Sequence, residues 1–366
     1  MKTLLLGDVS PTVDTNPLFE KMDVETLFSD TMTLFQGNDV NIVNLECALT
    51  DSDNAIEKFG PNLKGSVNTA DTLKLLGVNY CGLSNNHIFD YGVPGMKDTF
   101  EALDRVGIGY TGFGDNYEDS RKNLVIEAEG ETLCIIAVCE HEYTYALEDR
   151  MGSRPFDEFD TIEDIRHAKE VYDRVVVMYH GGKEYSQYPS PRLRRLCRAM
   201  ARNGADVILC QHSHCIGCYE EYENCHILYG QGNFHFVKEK LADPSVRDIW
   251  RNSLAVQYDT RSHAIRFIPL VAVRSDGIAL AKGEEKERIL EMFQKRNQSL
   301  QDGTWRDGWH SFCESKKEGY RKAIGEAYTK DSTEEQNQFF GHYLDCEAHT
   351  DVWRELFPTA NMTNEK

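Results

Sequence analysis

No apolar run in this 366-residue sequence approaches the roughly 18 residues that a bilayer-spanning helix needs. The opening stretch, MKTLLLGDVS, has one lysine and three leucines. A secretory signal needs a longer apolar region and a small-residue cleavage site. Leu4 to Leu6 therefore read as the first core strand, and the chain as given is expected to be cytoplasmic. Basic residues are also scarce: 40 Lys and Arg stand against 60 Asp and Glu, a formal charge of −20. Nucleic acid, which demands a basic footprint, is excluded as an expected partner. Indiscriminate binding to anionic polymers or membranes is disfavoured too, and the acidic excess reads as a solvated surface spread over helices. Cysteine is not lacking, with eleven, but only one CxxC occurs (Cys215 and Cys218, with Cys225 nearby) and no second pair at zinc-ribbon spacing. Cys81, Cys134, Cys139 and Cys210 lie inside strand-like runs, where a reduced thiol behaves as a small hydrophobe. Internal repeats and low-complexity linkers are absent.

Against these absences stands one repeated pattern. Apolar, strand-like runs end in a residue that can bind metal. Asp8 follows TLLLG. Asn44 and Glu46 close NIVNLE. Asn85, Asn86 and His87 follow VNYCGLS, His180 follows VVVMY, and His212 and His214 end DVILCQHSH. Open α/β sheets build their sites outside the carboxyl ends of their strands. Five strand ends offering hard oxygen and imidazole on one rim point to a metal-dependent hydrolase.

The rest of the pattern predicts the frame. The first half alternates strand and helix: strands over 2–8, 40–45 and 78–83, an acidic helical stretch near 20–36, and helices over TADTLKLLG and VPGMKDTFEALDRVG. This rhythm predicts a parallel sheet. NLVIEAEGETLCIIAVC reads as a hairpin about a Glu-Gly turn. Helices TIEDIRHAKEVYD and PRLRRLCRAMARNG feed strands 174–179 and 206–210. The later runs HILYG, SLAVQYD and AIRFIPLVAV are expected to be antiparallel, because short turns separate them. The whole predicts two sheets with helices outside, over residues 1–280. The remainder, 281–366, predicts a helical extension packed on that domain, with helices over 284–298, 309–328 and 333–345 and a final aromatic segment near VWRELF.

The ordered motifs GDVS, NLECALT, LSNNHIFDYG, MYHGGKEY, QHSHCIG and YGQGNFHF resemble the bacterial capsule-synthesis protein family (CapA-type). That family is associated with poly-gamma-glutamate and belongs to the calcineurin-like metallophosphoesterase superfamily. The resemblance covers roughly residues 1–275. It implies an α/β fold, a four-layer α/β/β/α sandwich, to which the helical C-terminal extension is added. It also implies a metal site of one or two divalent ions (Mn, Zn or Fe). Asp8, Glu46, Asn86, His180, His212 and His214 are the implied ligands, with Glu46 as the bridging acid. Ser10 stands where the superfamily has a histidine, which leaves one metal position short unless Asn44 or a water substitutes.

Beside the metal, His87 is expected to act as general acid, with Asp90 holding its ring in one tautomer. Ser10, Asn44, Asn85 and Glu184 are expected to support the ligands or touch substrate. His235 is a weaker candidate, and Lys64, Lys183 and Arg154 lie in loops where one could neutralise a substrate anion. His212 and His214, one residue apart, are expected to face the same way in an extended segment. Imidazoles so placed suit Zn, Mn or Fe. The expected activity is hydrolysis of a phosphoester or of an anionic peptide-like, polymer or glycan substrate, linked to polyglutamate or exopolysaccharide metabolism. The alternatives are peptide epimerisation at the same metal, with Glu46 or His87 as base, and a non-catalytic role in capsule assembly.

Overall fold

The structure, a computed structural model, describes residues 1–140, 143–238, 249–273 and 276–357. Two mixed sheets carry the fold. The first is built from β1 (Lys2–Val9), β2 (Val40–Leu45), β3 (Tyr80–Gly82) and β4 (Gly109–Thr111). The second uses β5 (Leu124–Ala128), β6 (Glu131–Cys139), β7 (Arg174–His180), β8 (Val207–Gln211), β9 (Tyr219–Tyr222) and β10 (Cys225–Leu228). Later strands β11 (Asn233–His235), β12 (Asn252–Asp259), β13 (Ala264–Ala272) and β14 (Ile278–Leu280) return to the first sheet. Its order is β14-β13-β12-β1-β2-β3-β4, with β11 against β1, and the second runs β9-β10-β8-β7-β6-β5.

Helices α1 (Thr69–Leu76), α2 (Gly92–Val106), α3 (Glu158–Val171) and α4 (Pro191–Arg202) cover the outer faces. Three apolar layers result. Leu73 of α1 and Met96 of α2 join Leu4, Leu6 and Val43 on one outer face. Ile165 of α3 and Leu196 and Met200 of α4 join Val175, Val177 and Ile208 on the other. Leu5, Ile42, Ile135, Val176 and Leu209 meet between the sheets. The alternation along β1 and β7 sends successive side chains to opposite faces. Both faces are covered, so the strands read as unbroken apolar runs. The result is a four-layer α/β/β/α sandwich.

Register brings the strand ends level. His180 pairs with Cys139 and Gln211 on its two neighbours. Asp8 is flanked by Asn44 and Asn233. Gly7 permits this: a Cβ there would meet Gly232 O at 1.9 Å.

Two expectations need correction. The helical stretch near 20–36 is broken: a short helix at Asn16–Glu20 ends where the stretch begins, and Val24–Phe28 then runs into a 3-10 helix, Ser29–Phe35. The HILYG strand, β10, is parallel to β8 and antiparallel only to β9. The short turn before it determines its pairing with β9, but not the neighbour on its other edge. The hairpin of β5 and β6 and the antiparallel run β12–β13 form as the sequence suggests.

Four helices follow: α5 (Gly283–Asp302), α6 (Trp305–Glu326), α7 (Glu334–Asp345) and α8 (Glu347–Leu356). Ile289 and Phe293 of α5 join the layer between the sheets, while Trp309, Cys313, Tyr320, Val352 and Leu356 form a separate small core. A buried charge network ties this part to the sandwich. Glu140, just past β6, contacts Arg192 of α4, and Arg192 Nε lies 3.0 Å from Asp351 of α8. Tyr179 and the Gly182 amide donate to the same Glu140 carboxylate. Among the described residues, no helix is long and apolar enough to cross a membrane.

Candidate metal centre

The structure brings six expected ligands together at the shared rim. One set joins Glu46, His180 and His212; a second joins Asp8, Glu46 and His214. In each set one ligand atom per residue lies within 4.8 Å of the others, and Glu46 belongs to both. His180 Nε2 is 3.4 Å from Glu46 Oε1, 3.2 Å from His212 Nδ1 and 2.9 Å from Asn86 Oδ1. His214 Nδ1 is 3.5 Å from Asp8 Oδ2, and its Nε2 is 3.9 Å from Glu46. All six side chains are buried.

The chemistry of this donor set fits a divalent cation. Neither Glu46 carboxylate oxygen receives a bond from a donor group, although both are buried; the side chain lies against the Asp8 carboxyl, an acceptor like itself. Such a group is costly unless a charge meets it. Burial, and then the Glu46 charge, push the Asp8 carboxyl up to about 7. Burial also raises Glu46 well above the usual carboxylate range. The imidazoles shift the opposite way: burial lowers His180 to about 4 and His212 to about 3, and His214 falls well below its ordinary value. Neutral imidazoles with free lone pairs, beside carboxylates that burial makes hard to ionise, are what a cation would bind and discharge.

The surrounding residues differ in role. Asn44 Nδ2 donates to Asp8 Oδ1 at 2.7 Å and lies 3.2 Å from His180 Nδ1. Its carbonyl oxygen receives Asn85 Nδ2, so Asn44 orients ligands from behind. Asn85 also receives the His87 and Ile88 amides and shapes the turn that presents Asn86. Ser10 is fully buried, and its hydroxyl oxygen has no hydrogen-bond partner. His87 Nδ1 lies 2.7 Å from Asp90 Oδ2. Glu184 Oε1 lies 3.9 Å from His214 Nε2.

Other candidates fall away. Arg154 is buried against Asp164, with further bonds to Asn123 and the Arg121 carbonyl, so it ties the segment before β5 to α3. Lys64 bonds Ser52 O and Asp53 in the 50–65 loop. His235 packs edge-on against Phe19 and Phe28, outside both ligand sets. His212 and His214 do not sit in an extended segment. Both adopt left-handed backbone, at φ 74° and 53°. Two tight turns, rather than strand alternation, aim them inward, and such strain in non-glycine residues gathers at functional sites.

Sequence reasoning missed three neighbours. Lys58 Nζ lies 2.6 Å from Asp90 Oδ1 and 3.2 Å from His87 Nδ1. Asn233 Oδ1 lies 2.8 Å from His214 Nδ1. Lys238 rests on the rings of Phe236 and Trp250, 4.4 Å from each centroid. Asn233 had a readable signal, since it ends the YGQGN motif; Lys58 lies in a loop without periodicity.

Residues 2–238 match the family described as bacterial capsule synthesis protein PGA_cap. The chain is 29% identical over 216 residues to the capsule biosynthesis protein CapA of Bacillus anthracis, covering 57% of this chain and 51% of that protein. It is 29% identical over 235 residues to the PGA biosynthesis protein CapA of Bacillus subtilis strain 168, covering 63% and 62%. The chain thus spans between half and two thirds of the length of these relatives. A putative 5'-nucleotidase from Staphylococcus aureus, solved with alpha-ketoglutarate, aligns at 14% identity with a TM-score of 0.45, over 80% of this chain and 58% of that one. Motif order and the match over most of the chain agree: this protein belongs to the bacterial capsule synthesis protein family.

Proposed function

We propose that the protein is a metal-dependent hydrolase acting on a phosphoester. The observation that carries this reading is Glu46, a buried carboxylate that no donor group meets, shared by two ligand sets. In this reading Glu46, Asn86, His180 and His212 hold one cation; Asp8, Glu46 and His214, with Ser10 in place of a stronger ligand, hold a second, weaker one. Mn, Zn or Fe suits such mixed oxygen and imidazole donors. When bound, the cations supply Lewis-acid polarisation and a more acidic water. The protein's own groups do the rest. Asn44 keeps Asp8 and His180 in place, and Asn233 fixes the ring of His214. Asp90 engages Nδ1 of His87, so Nε2 is the nitrogen that faces a leaving group, and the ring gives up a proton there when it enters the step as the imidazolium that Asp90 stabilises. Burial of the whole set excludes bulk water and strengthens each charge interaction.

The poly-glutamate and capsule connection of the named relatives suggests where such a hydrolase would work, on material that supplies or trims an envelope polymer. A non-catalytic part in capsule assembly is favoured by one observation, Ser10 where a histidine ligand would stand. One experiment separates the two. Protein purified without chelator should carry about one equivalent of transition metal and hydrolyse p-nitrophenyl phosphate or its diester when Mn is added. The double variant His212→Ala, His214→Ala should lose both. Bound metal without turnover on any ester would favour assembly; no metal after loading would sink the site itself.

A further inference from the structure

With every candidate ligand buried, substrate must reach the centre through an opening. A cavity of about 310 Å³ lies between the loop at 57–59 and α7, and Lys58 lines it. The same Lys58 amine stands 3.2 Å from His87 Nδ1. One lining side chain of the cavity therefore touches the expected acid. Its size sits at the low end for ligand pockets, roughly 300–1,000 Å³, which suits a single ring-sized group.

The lining specifies the group further. The Phe59 and His342 rings are stacked at 5.5 Å, with 27° between planes, and Tyr143 and His342 at 6.1 Å, with 16°. The Phe59 amide is fixed to the Tyr143 hydroxyl at 3.3 Å. These rings pack on one another and make one wall of the cavity aromatic and rigid. Asn337 and Gln338 of α7 add amide donors and acceptors to the wall. Glu57, Glu334 and Asp345 also line the cavity, three carboxylates against the one ammonium of Lys58. Carboxylates accept bonds from hydroxyls and repel a second anion. An aromatic wall, amides and carboxylates together favour a neutral, hydroxyl-rich ring over an acidic polymer.

We propose that this cavity is a leaving-group subsite for a hydroxylated ring, a sugar or a nucleoside, that carries the scissile phosphate, and that α7 of the helical extension is part of the substrate site. The inference rests on the phosphoester reading above, and deepens it. Lys58 lies between the cavity and the His87–Asp90 pair, on the Nδ1 side of the ring.

The test has a binding arm and a kinetic arm. In the binding arm, saturation-transfer NMR on the full-length, EDTA-treated protein uses adenosine, methyl glucoside and hexaglutamate as probes. One of the two rings should bind, hexaglutamate should not, and Gln338→Ala should weaken the ring signal. In the kinetic arm, the Mn-loaded protein is given adenosine 5'-monophosphate, glucose 1-phosphate and p-nitrophenyl phosphate. His342→Ala should raise KM for the preferred hydroxylated ester about tenfold while kcat stays within about twofold. Gln338→Ala, half-buried on the wall, covers the case in which His342→Ala disturbs the fold. Turnover of p-nitrophenyl phosphate with neither ring bound overturns the subsite and leaves the hydrolase reading standing. Ring binding without hydrolysis of any ester overturns the hydrolase reading and keeps the ring site. Hexaglutamate binding as well as either ring overturns the ligand class proposed.

Discussion

Replacing Asp8 by asparagine should change the stability of the metal-free protein in a pH-dependent way. Asp8 is fully buried, and burial with the neighbouring Glu46 charge lifts its carboxyl from 3.8 to about 7. That is roughly 3 pH units, or at most about 4 kcal/mol at 1.36 kcal/mol per unit. The sign follows from linkage. Below pH 3.8 Asp8 is protonated in both folded and unfolded chains and costs nothing. Between 3.8 and about 7 the unfolded chain releases the proton while the folded one keeps it, so stability falls. Above about 7 the full penalty is present. The substituted amide has no charge to bury, so the variant should gain on the native protein across this window. It also loses an acceptor for Asn44 Nδ2 or the His212 amide, about 1–3 kcal/mol, but that loss is independent of pH. Asp8 also raises His180, so its removal makes that buried ring harder to protonate and adds a smaller contribution at the acid end of the window. The assay is urea unfolding of EDTA-stripped native and Asp8→Asn protein from pH 4 to 8. Saturating Mn should reverse the trend, since only the intact site gains about 2.7 kcal/mol at a hundredfold excess over Kd. A stability difference that stays flat from pH 4 to 8 would refute the argument that Asp8 is a strained carboxylate awaiting a cation.

Three further outcomes are expected. His87→Asn should slow ester hydrolysis on the order of a hundredfold or more with metal content unchanged, by elemental analysis, because His87 is assigned to proton transfer; loss of metal would move it among the ligands. Ser10→His should turn one tight and one weak Mn event in calorimetry into two tight ones, since imidazole binds far better than a hydroxyl; two equal sites in the native protein would contradict the asymmetry. Asp351→Ala should lower stability by roughly 3 kcal/mol, the scale for breaking a buried ion pair, and speed proteolysis within 305–357; an unchanged digestion pattern would count against the network as a clamp.

Much of the site was legible because its geometry is local. Each ligand ends an apolar strand, and parallel pairing makes strand ends level, so Asp8, Glu46, Asn86, His180 and His214 could be grouped from their order alone. What could not be read depends on contacts distant in sequence or on backbone detail. Lys58 reaches Asp90 from a loop that has no period, across 32 residues. Arg154 looked available because nothing in SRPFD announces Asp164 and Arg121 as partners. The left-handed φ of His212 and His214 is unusual for histidine, so the sequence argues for an extended segment. The parallel edge of β10 depends on which strand lies beside it in the sheet, a choice made by β8.

The network of Glu140, Arg192 and Asp351 bears on inheritance within the family. Charges buried together cannot be exchanged one at a time without stranding a partner. Glu140 and Arg192 lie in the span shared with relatives, and Asp351 lies beyond it. A relative that lacks such a helical extension is therefore expected to carry a smaller or uncharged residue at the position of Arg192, and a transplant of residues 281–357 onto another member should succeed only when that arginine travels with it.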